Sequence, residues 1–297
     1  MSELSKQKPE VPVIIIERDE EPAIDIAVAG KKRQWLRHLA NVAVGLLMLA
    51  LLFAAYKLAA YYFVLGVPVS TSPRENIEKL KQPATGETAE VRMTSDSILG
   101  VTLDIYGLHG LKADIELREP DKWDRGVFLY SRCADYTSNG KYLGSLVVQG
   151  QDLQSDRSRL GYMAMADGQM VIGISRSDKV KDYVCGRGGS FFRQFILVSD
   201  GVLPPRFMLH GKVERRAIGR IGNQLFYIAT RQKETLWDFA DALREYGFTD
   251  AIYITGGNQY GFYRDRNGNR HDFGQPAARS RAKGKNFVPW LVFRALK

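Results

Sequence analysis

The residues that could do chemistry are few, because the usual fingerprints are missing. The sequence has no G-x-S-x-G, no phosphate-binding P-loop, no H-E-x-x-H and no C-x-x-C. Its four histidines (His38, His109, His210, His271) are scattered, so neither a metal centre nor a cofactor is expected. Three short constellations remain. Asp135 sits in a turn-like segment and carries a carboxyl for proton transfer, although turn aspartates more often accept local hydrogen bonds. Arg215 and Arg216 offer guanidinium forks for an anion, although a strand with one solvated arginine and one paired to Glu214 has the same pattern. Thr255-Gly256-Gly257-Asn258 follows the strand-like run Ala251–Ile254; paired glycines at a strand end let a ligand approach the backbone, or simply turn the chain.

The elements expected to position these residues are mostly short strands. From about residue 96 the runs Val101–Tyr106, Leu111–Leu117, Val127–Tyr130, Leu143–Val148, Tyr162–Met165, Met170–Ile174, Phe195–Val198 and Leu225–Thr230 read as strands. Ala166-Asp167-Gly168-Gln169 predicts a hairpin turn. One helix is well signalled: Thr235 with Asp238 at its start, Leu236, Phe239, Ala240 and Leu243 at helical spacing, and Gly247 at its end. After Tyr260–Arg264 and the Asn267-Gly268 turn, 265–286 reads as a surface loop and Phe287–Ala295 as a last strand. The expected class is α+β, a single exterior domain of mostly antiparallel sheet with few helices, preceded by one transmembrane helix.

Residues 39–56, LANVAVGLLMLALLFAAY, carry no charge and are long enough to span a bilayer. Lys31, Lys32, Arg33 and Arg37 precede the run, and Lys57 alone follows it closely. The positive-inside rule then puts the N-terminus in the cytoplasm and the C-terminal bulk in the periplasm or outside the cell. Tyr56, Tyr61 and Tyr62 suit an aromatic belt. The expected layout is a disordered cytoplasmic tail (1–38), an anchor helix (39–65), a linker (66–95) with one helical turn near Glu75–Lys81, and a domain (96–297). Cys133 and Cys185 would face an oxidising compartment, which permits a disulfide; two free thiols fit equally.

The chain has 42 Lys+Arg against 33 Asp+Glu, a net charge of +9. The excess is local. Nine cations and two acids lie from Arg264 to Lys297, and a second cluster holds Arg206, Lys212, Arg215, Arg216 and Arg220 against Glu214. Both clusters lie beyond the span, on the side where nucleic acid is not expected. They point instead to an anionic ligand, with the membrane as the other partner and any protein partner left open.

Three segments occur in an order that resembles the phosphodiester glycosidase domain family. They are Ala134-Asp135-Tyr136 through Asn139-Gly140 to Gly144–Val148; Phe195–Gly201 followed by Arg215-Arg216-Ala217-Ile218-Gly219; and Leu236–Tyr246 followed by Ala251–Gly257. The resemblance covers roughly residues 96–295. It implies an α+β domain that hydrolyses a sugar 1-phosphodiester, taking a phosphorylated or anionic glycan as ligand. It also implies that Arg215 pairs with the phosphate and that Gly256 and Gly257 form the family's Asp-Gly-Gly turn. Thr255 stands where that turn carries an aspartate, and its hydroxyl is no acid or base near neutral pH. The catalytic candidates are therefore Asp135 and Thr255, and the ligand-binding ones Arg215, Gly256, Gly257 and Asn258. A relative without catalytic activity that binds an anionic glycan or a protein partner has the same signature.

Overall fold

A computed structural model describes residues 25–63, 71–84, 88–135, 141–204, 210–275 and 288–296. Most of the N-terminal tail, Tyr136–Gly140 of the first motif, Arg206 and the 279–285 basic run lie outside the described residues. The chain forms two units, Met1–Lys57 and Leu58–Lys297.

The first unit is dominated by helix α1 (Asp25–Phe63). Within it Gln34–Ala59 is long and apolar enough to cross a membrane. At about 1.5 Å per residue these 26 residues exceed the ~30 Å of a hydrocarbon core. Leu46, Leu49, Leu52 and Phe53 are all exposed, so the helix has no internal face to bury.

In the second unit α2 (Pro73–Leu80) leads to β1 (Glu90–Ile98), β2 (Val101–His109), β3 (Leu111–Glu116) and β4 (Val127–Arg132). Next come β5 (Leu146–Val148), β6 (Gln151–Gln154), β7 (Gly161–Ala166), β8 (Gln169–Ile174), α3 (Lys179–Gly186), β9 (Ser190–Gln194) and β10 (Ile196–Val198). The chain closes with β11 (Arg215–Ile221), β12 (Gln224–Thr230), α4 (Leu236–Tyr246), β13 (Asp250–Gly256), β14 (Gly261–Arg264), β15 (Arg270–Phe273) and β16 (Trp290–Ala295). Three sheets result, ordered β1-β2-β12-β11-β13-β10, β15-β14-β4-β16-β3 and β6-β5-β9-β7-β8. Among the described residues every pairing between these strands is antiparallel. The α+β class and its antiparallel character are as the sequence predicts.

The local causes are visible. Thr235 Oγ1 accepts from the Asp238 N–H at 3.0 Å, and Gly247 (φ 108°) closes α4 in the left-handed region. Leu236, Phe239, Ala240 and Leu243 pack this helix on the six-stranded sheet, beside Leu103, Ala217, Ile228 and Ala251. Each fully buried leucine, isoleucine or phenylalanine here contributes roughly 1.5–3 kcal/mol of transfer free energy, and each alanine methyl well under that. The largest core joins all three sheets through Leu129, Leu146, Met163, Phe192, Ile218, Ile254, Leu291 and Phe293. Asp167 (φ 52°) and Gly168 (φ 81°) make the expected β7–β8 hairpin turn.

Two expectations change, and one open alternative is decided. The linker 66–95 is part of the domain in its described portions. Ser72 and Pro73 start a true helix, Leu80 is fully buried, and Asn76 Nδ2 donates to Tyr162 Oη at 2.7 Å. β1 then begins at Glu90, pairing with β2 along its whole length. The stretch read as a loop contains β15, held to β14 through Gly261↔Phe273 to Arg264↔Arg270. The two cysteines are free thiols: Cys133 is buried in the central core, and Cys185 lies near the end of α3 with its thiol donating to the Gly150 carbonyl at 2.8 Å. Each side chain belongs to a different apolar cluster, which is why no bond forms.

Candidate active site

Two strand ends meet to make the site. β4, the middle strand of the five-stranded sheet, ends at Arg132, and its continuation Cys133-Ala134-Asp135 turns away. Cys133 anchors this exit: its N–H donates to Pro289 O at 3.0 Å and its side chain is fully buried. Burial, with the Asp135 charge as a second cause, pushes the thiol well above its usual range, so Cys133 is not a nucleophile. Ala134 adopts φ 75°, a conformation that costs a non-glycine residue roughly 1–2 kcal/mol. Local strain of this kind concentrates at functional sites, and here it turns the chain immediately before the carboxylate.

From the other side comes β13, ending in Thr255-Gly256. Thr255 Oγ1 donates to Asp135 Oδ1 at 2.7 Å, and the Gly256 N–H reaches the same oxygen at 3.2 Å. Thr255 is buried and Asp135 is half-buried. These residues open on a cavity of about 350 Å³, lined by Arg132, Ala134, Asp135, Leu143, Thr255, Gln259 and Val288. The predicted pair Asp135 and Thr255 is therefore brought together, in direct contact.

Gly256 and Gly257 sit beside the cavity with their N–H groups already engaged. Gly256 binds Asp135, and Gly257 (φ 82°) donates to Glu214 O at 2.9 Å. Position 256 needs glycine because a Cβ there would stand 2.5 Å from Tyr253 Oη. Asn258 is exposed and off the cavity; its carbonyl takes the Gln275 N–H at 3.2 Å.

Arg215 pairs with Gly256 across the β11–β13 ladder, but its guanidinium does not line the cavity. Nε donates to Glu234 O at 3.0 Å, Nη2 to Gly211 O at 2.5 Å, and Nη1 lies 3.5 Å from Tyr253 Oη. Arg216 is as deeply buried and reaches the carbonyls of Gly257 and Gln259. A register shift between Arg216 and Ala217 marks a bulge at this point of β11. Arg216 thus braces the 256–259 turn, while Arg215 ties Tyr253 of β13 to the chain at Gly211 and Glu234. The phenol of Tyr253 is pushed above its usual range by burial and by the Asp135 charge, with Arg215 working against that rise.

Sequence reasoning missed Arg132 and Gln259 as lining residues. Arg132 stands three positions before Asp135, a spacing that would put them on opposite faces of a straight strand; the turn at Ala134 brings both to the cavity, so the sequence held no clear signal. Gln259 follows the glycine pair and folds back, its Nε2 donating to Gly256 O at 3.2 Å. Among the described residues no cluster of three His, Cys, Asp or Glu could hold a metal ion.

The chain is similar in structure to the catalytic domain of zebrafish N-acetylglucosamine-1-phosphodiester alpha-N-acetylglucosaminidase, solved auto-inhibited by its pro-peptide. The TM-score is 0.50 at 12% identity, over 80% of this chain and 99% of that one. The fold resembles a phosphodiester glycosidase domain. A hypothetical protein from Synechocystis gives a TM-score of 0.49 at 9% identity, over 69% of this chain and 62% of that one. No family model matches the sequence, and no curated protein matches it. At such identities the likeness concerns the fold, and the role of each residue has to be argued from its own surroundings.

Proposed function

We propose that this protein is a membrane-anchored hydrolase of sugar 1-phosphodiesters, with Asp135 as its proton-transferring carboxylate. The observation that carries the reading is the contact between Asp135 and Thr255. The position where the resemblance expects a carboxylate holds threonine, and a carboxylate arrives at the same point from β4's exit. One carboxylate suffices for this leaving group. Water attacks the anomeric carbon and forms a C–O bond as Asp135 takes its proton. The bond from that carbon to the bridging oxygen breaks, and its electron pair leaves on the phosphate. A phosphate anion is stable enough to depart unprotonated, so the acid partner of an ordinary glycosidase is dispensable. Two donors fix Oδ1 and with it the plane of the carboxyl, which leaves the other oxygen to receive the proton.

The charge pattern supports one side of the membrane for this reading. Lys31, Lys32, Arg33 and Arg37 before the span favour a cytoplasmic N-terminus, so the cleft works on the opposite face, toward the envelope.

The test uses the full chain in detergent micelles with an aryl N-acetylglucosaminyl phosphodiester. Release of the aryl phosphate that falls at least about 100-fold in Asp135→Asn supports the reading. A second reading, a non-catalytic binder of an anionic glycan, is favoured by Thr255 itself, since its hydroxyl supplies no acid or base. Binding of the phosphodiester without turnover selects that reading.

A further inference from the structure

Three arginines surround the cleft, and they differ in what their guanidiniums already hold. Arg215 is engaged by Glu234 O, Gly211 O and Tyr253 Oη. Arg216 is engaged by Gly257 O and Gln259 O. Arg132 alone of the three lines the cavity; among the described residues its Nε, like that of Arg216, is buried without a hydrogen-bond partner, but the Nη groups of Arg216 are spent on the turn. Its guanidinium lies 5.3 Å from the centre of the Trp290 ring, opposite it in the β4–β16 ladder. Trp290 is buried among Val127, Tyr130, Phe262 and Val292, so this aromatic support is rigid. An arginine held by a ring face at the wall of a cavity can turn its terminal N–H pair to a planar or tetrahedral oxyanion.

We propose that Arg132 is the anion-binding residue of this cleft, and that it, rather than Arg215, recognises the phosphate of a sugar phosphate beside Asp135. The inference rests on the cleft being the working site, and not on turnover there. Arg132 neutralises the ligand's charge next to the Asp135 carboxylate, which would otherwise repel a phosphate. Arg215, engaged by Glu234 O and Gly211 O, shapes the site through Tyr253 and through its ladder pairing with Gly256.

The test is calorimetric titration of the full chain, in detergent, with N-acetylglucosamine 1-phosphate. Wild type is expected to bind saturably, and Arg132→Gln to bind about 10- to 100-fold more weakly, the scale of a lost charge-assisted pair. Arg132→Lys keeps the charge without the fork and is expected to bind better than Arg132→Gln. Melting temperature confirms that each variant is folded, and Arg132→Met is the alternative if the glutamine variant is not. Wild-type affinity in the uncharged variant, equal affinity in Arg132→Lys and Arg132→Gln, or no saturable binding by wild type overturns the proposal. Arg132-dependent binding without turnover contradicts only the hydrolase reading. Turnover unaffected by Arg132→Gln contradicts only the role of Arg132.

Discussion

Thr255 Oγ1 donates a 2.7 Å hydrogen bond to Asp135 Oδ1, closing a contact between residues 120 positions apart in sequence. The bond ties the end of β13 to the exit of β4, two strands from different sheets. It also decides what a second carboxylate would do at position 255. Thr255→Asp would set two carboxylates in contact, where both cannot ionise cheaply. The variant is expected to be less stable than wild type at pH 7 by roughly 1–3 kcal/mol, on the scale of a buried group left without its partner. One carboxyl of the pair then has a raised pKa, so the deficit shrinks as the pH falls toward 4. Urea denaturation at pH 7 and pH 4 measures both values. A variant as stable as wild type at pH 7 would contradict the contact.

Arg216 braces the turn from below, through the carbonyls of Gly257 and Gln259, with its guanidinium 5.6 Å from the Phe273 ring. Arg216→Met keeps the apolar stem and removes the donors. The loss of two charge-assisted bonds in a buried place is expected to cost about 2–4 kcal/mol. Hydrogen exchange should quicken at Gly257 and Gln259 before it does in α4. Uniform change across the domain would argue that Arg216 serves global packing instead.

Much of the fold was legible in short-range pattern. The cap and closing glycine of α4 and the Asp167-Gly168 turn are local signals, and local geometry realised them. α3 was not legible. Its buried Lys181 reads as a surface residue, yet Nζ meets Asp152 Oδ2 at 2.7 Å and Ser155 Oγ at 2.5 Å. α2 looks like one turn in a linker by local pattern because the anchors that hold it, Asn76 to Tyr162 and Thr71 just before it to Ile174, come from 86 and 103 residues away. The site divides along the same line. Asp135 and Thr255 could be named as residue types with chemistry, but their contact depends on strand pairing. The same pairing turned Arg215 inward and Arg132 toward the cavity, and adjacency in sequence carries no such information.

Acid should weaken the domain through specific carboxylates. Burial pushes Asp178 up, but the Arg157 hydrogen bond and the Arg193 charge hold it below its ordinary value. Asp152 is depressed in the same way, with Lys181 and Ser155 outweighing its burial, and Asp124 through Arg294 and the Gly126 N–H. A carboxyl with a depressed folded pKa adds stability above its unfolded value near 4 and loses it as the pH falls further. Denaturation midpoints should therefore be level from pH 7 to 5 and fall below pH 4. Asp178→Asn should flatten part of that fall. A fall already complete at pH 5 would point to other groups.

The thiols offer a direct check of packing. Cys185 is half-buried and Cys133 is fully buried. A maleimide added to the native protein should label one thiol slowly, at Cys185, and a second only after unfolding. Reducing agent should leave the melting temperature unchanged. A shift on reduction would mean that the two cysteines are joined.

The most direct measurement is steady-state hydrolysis of an aryl N-acetylglucosaminyl phosphodiester by the full chain and by Asp135→Asn. Wild-type release of the aryl phosphate, reduced at least about 100-fold in the variant with its melting temperature preserved, is the predicted result. Hydrolysis at the wild-type rate by Asp135→Asn, or no hydrolysis by either protein, would contradict the assignment of Asp135 as the catalytic carboxylate.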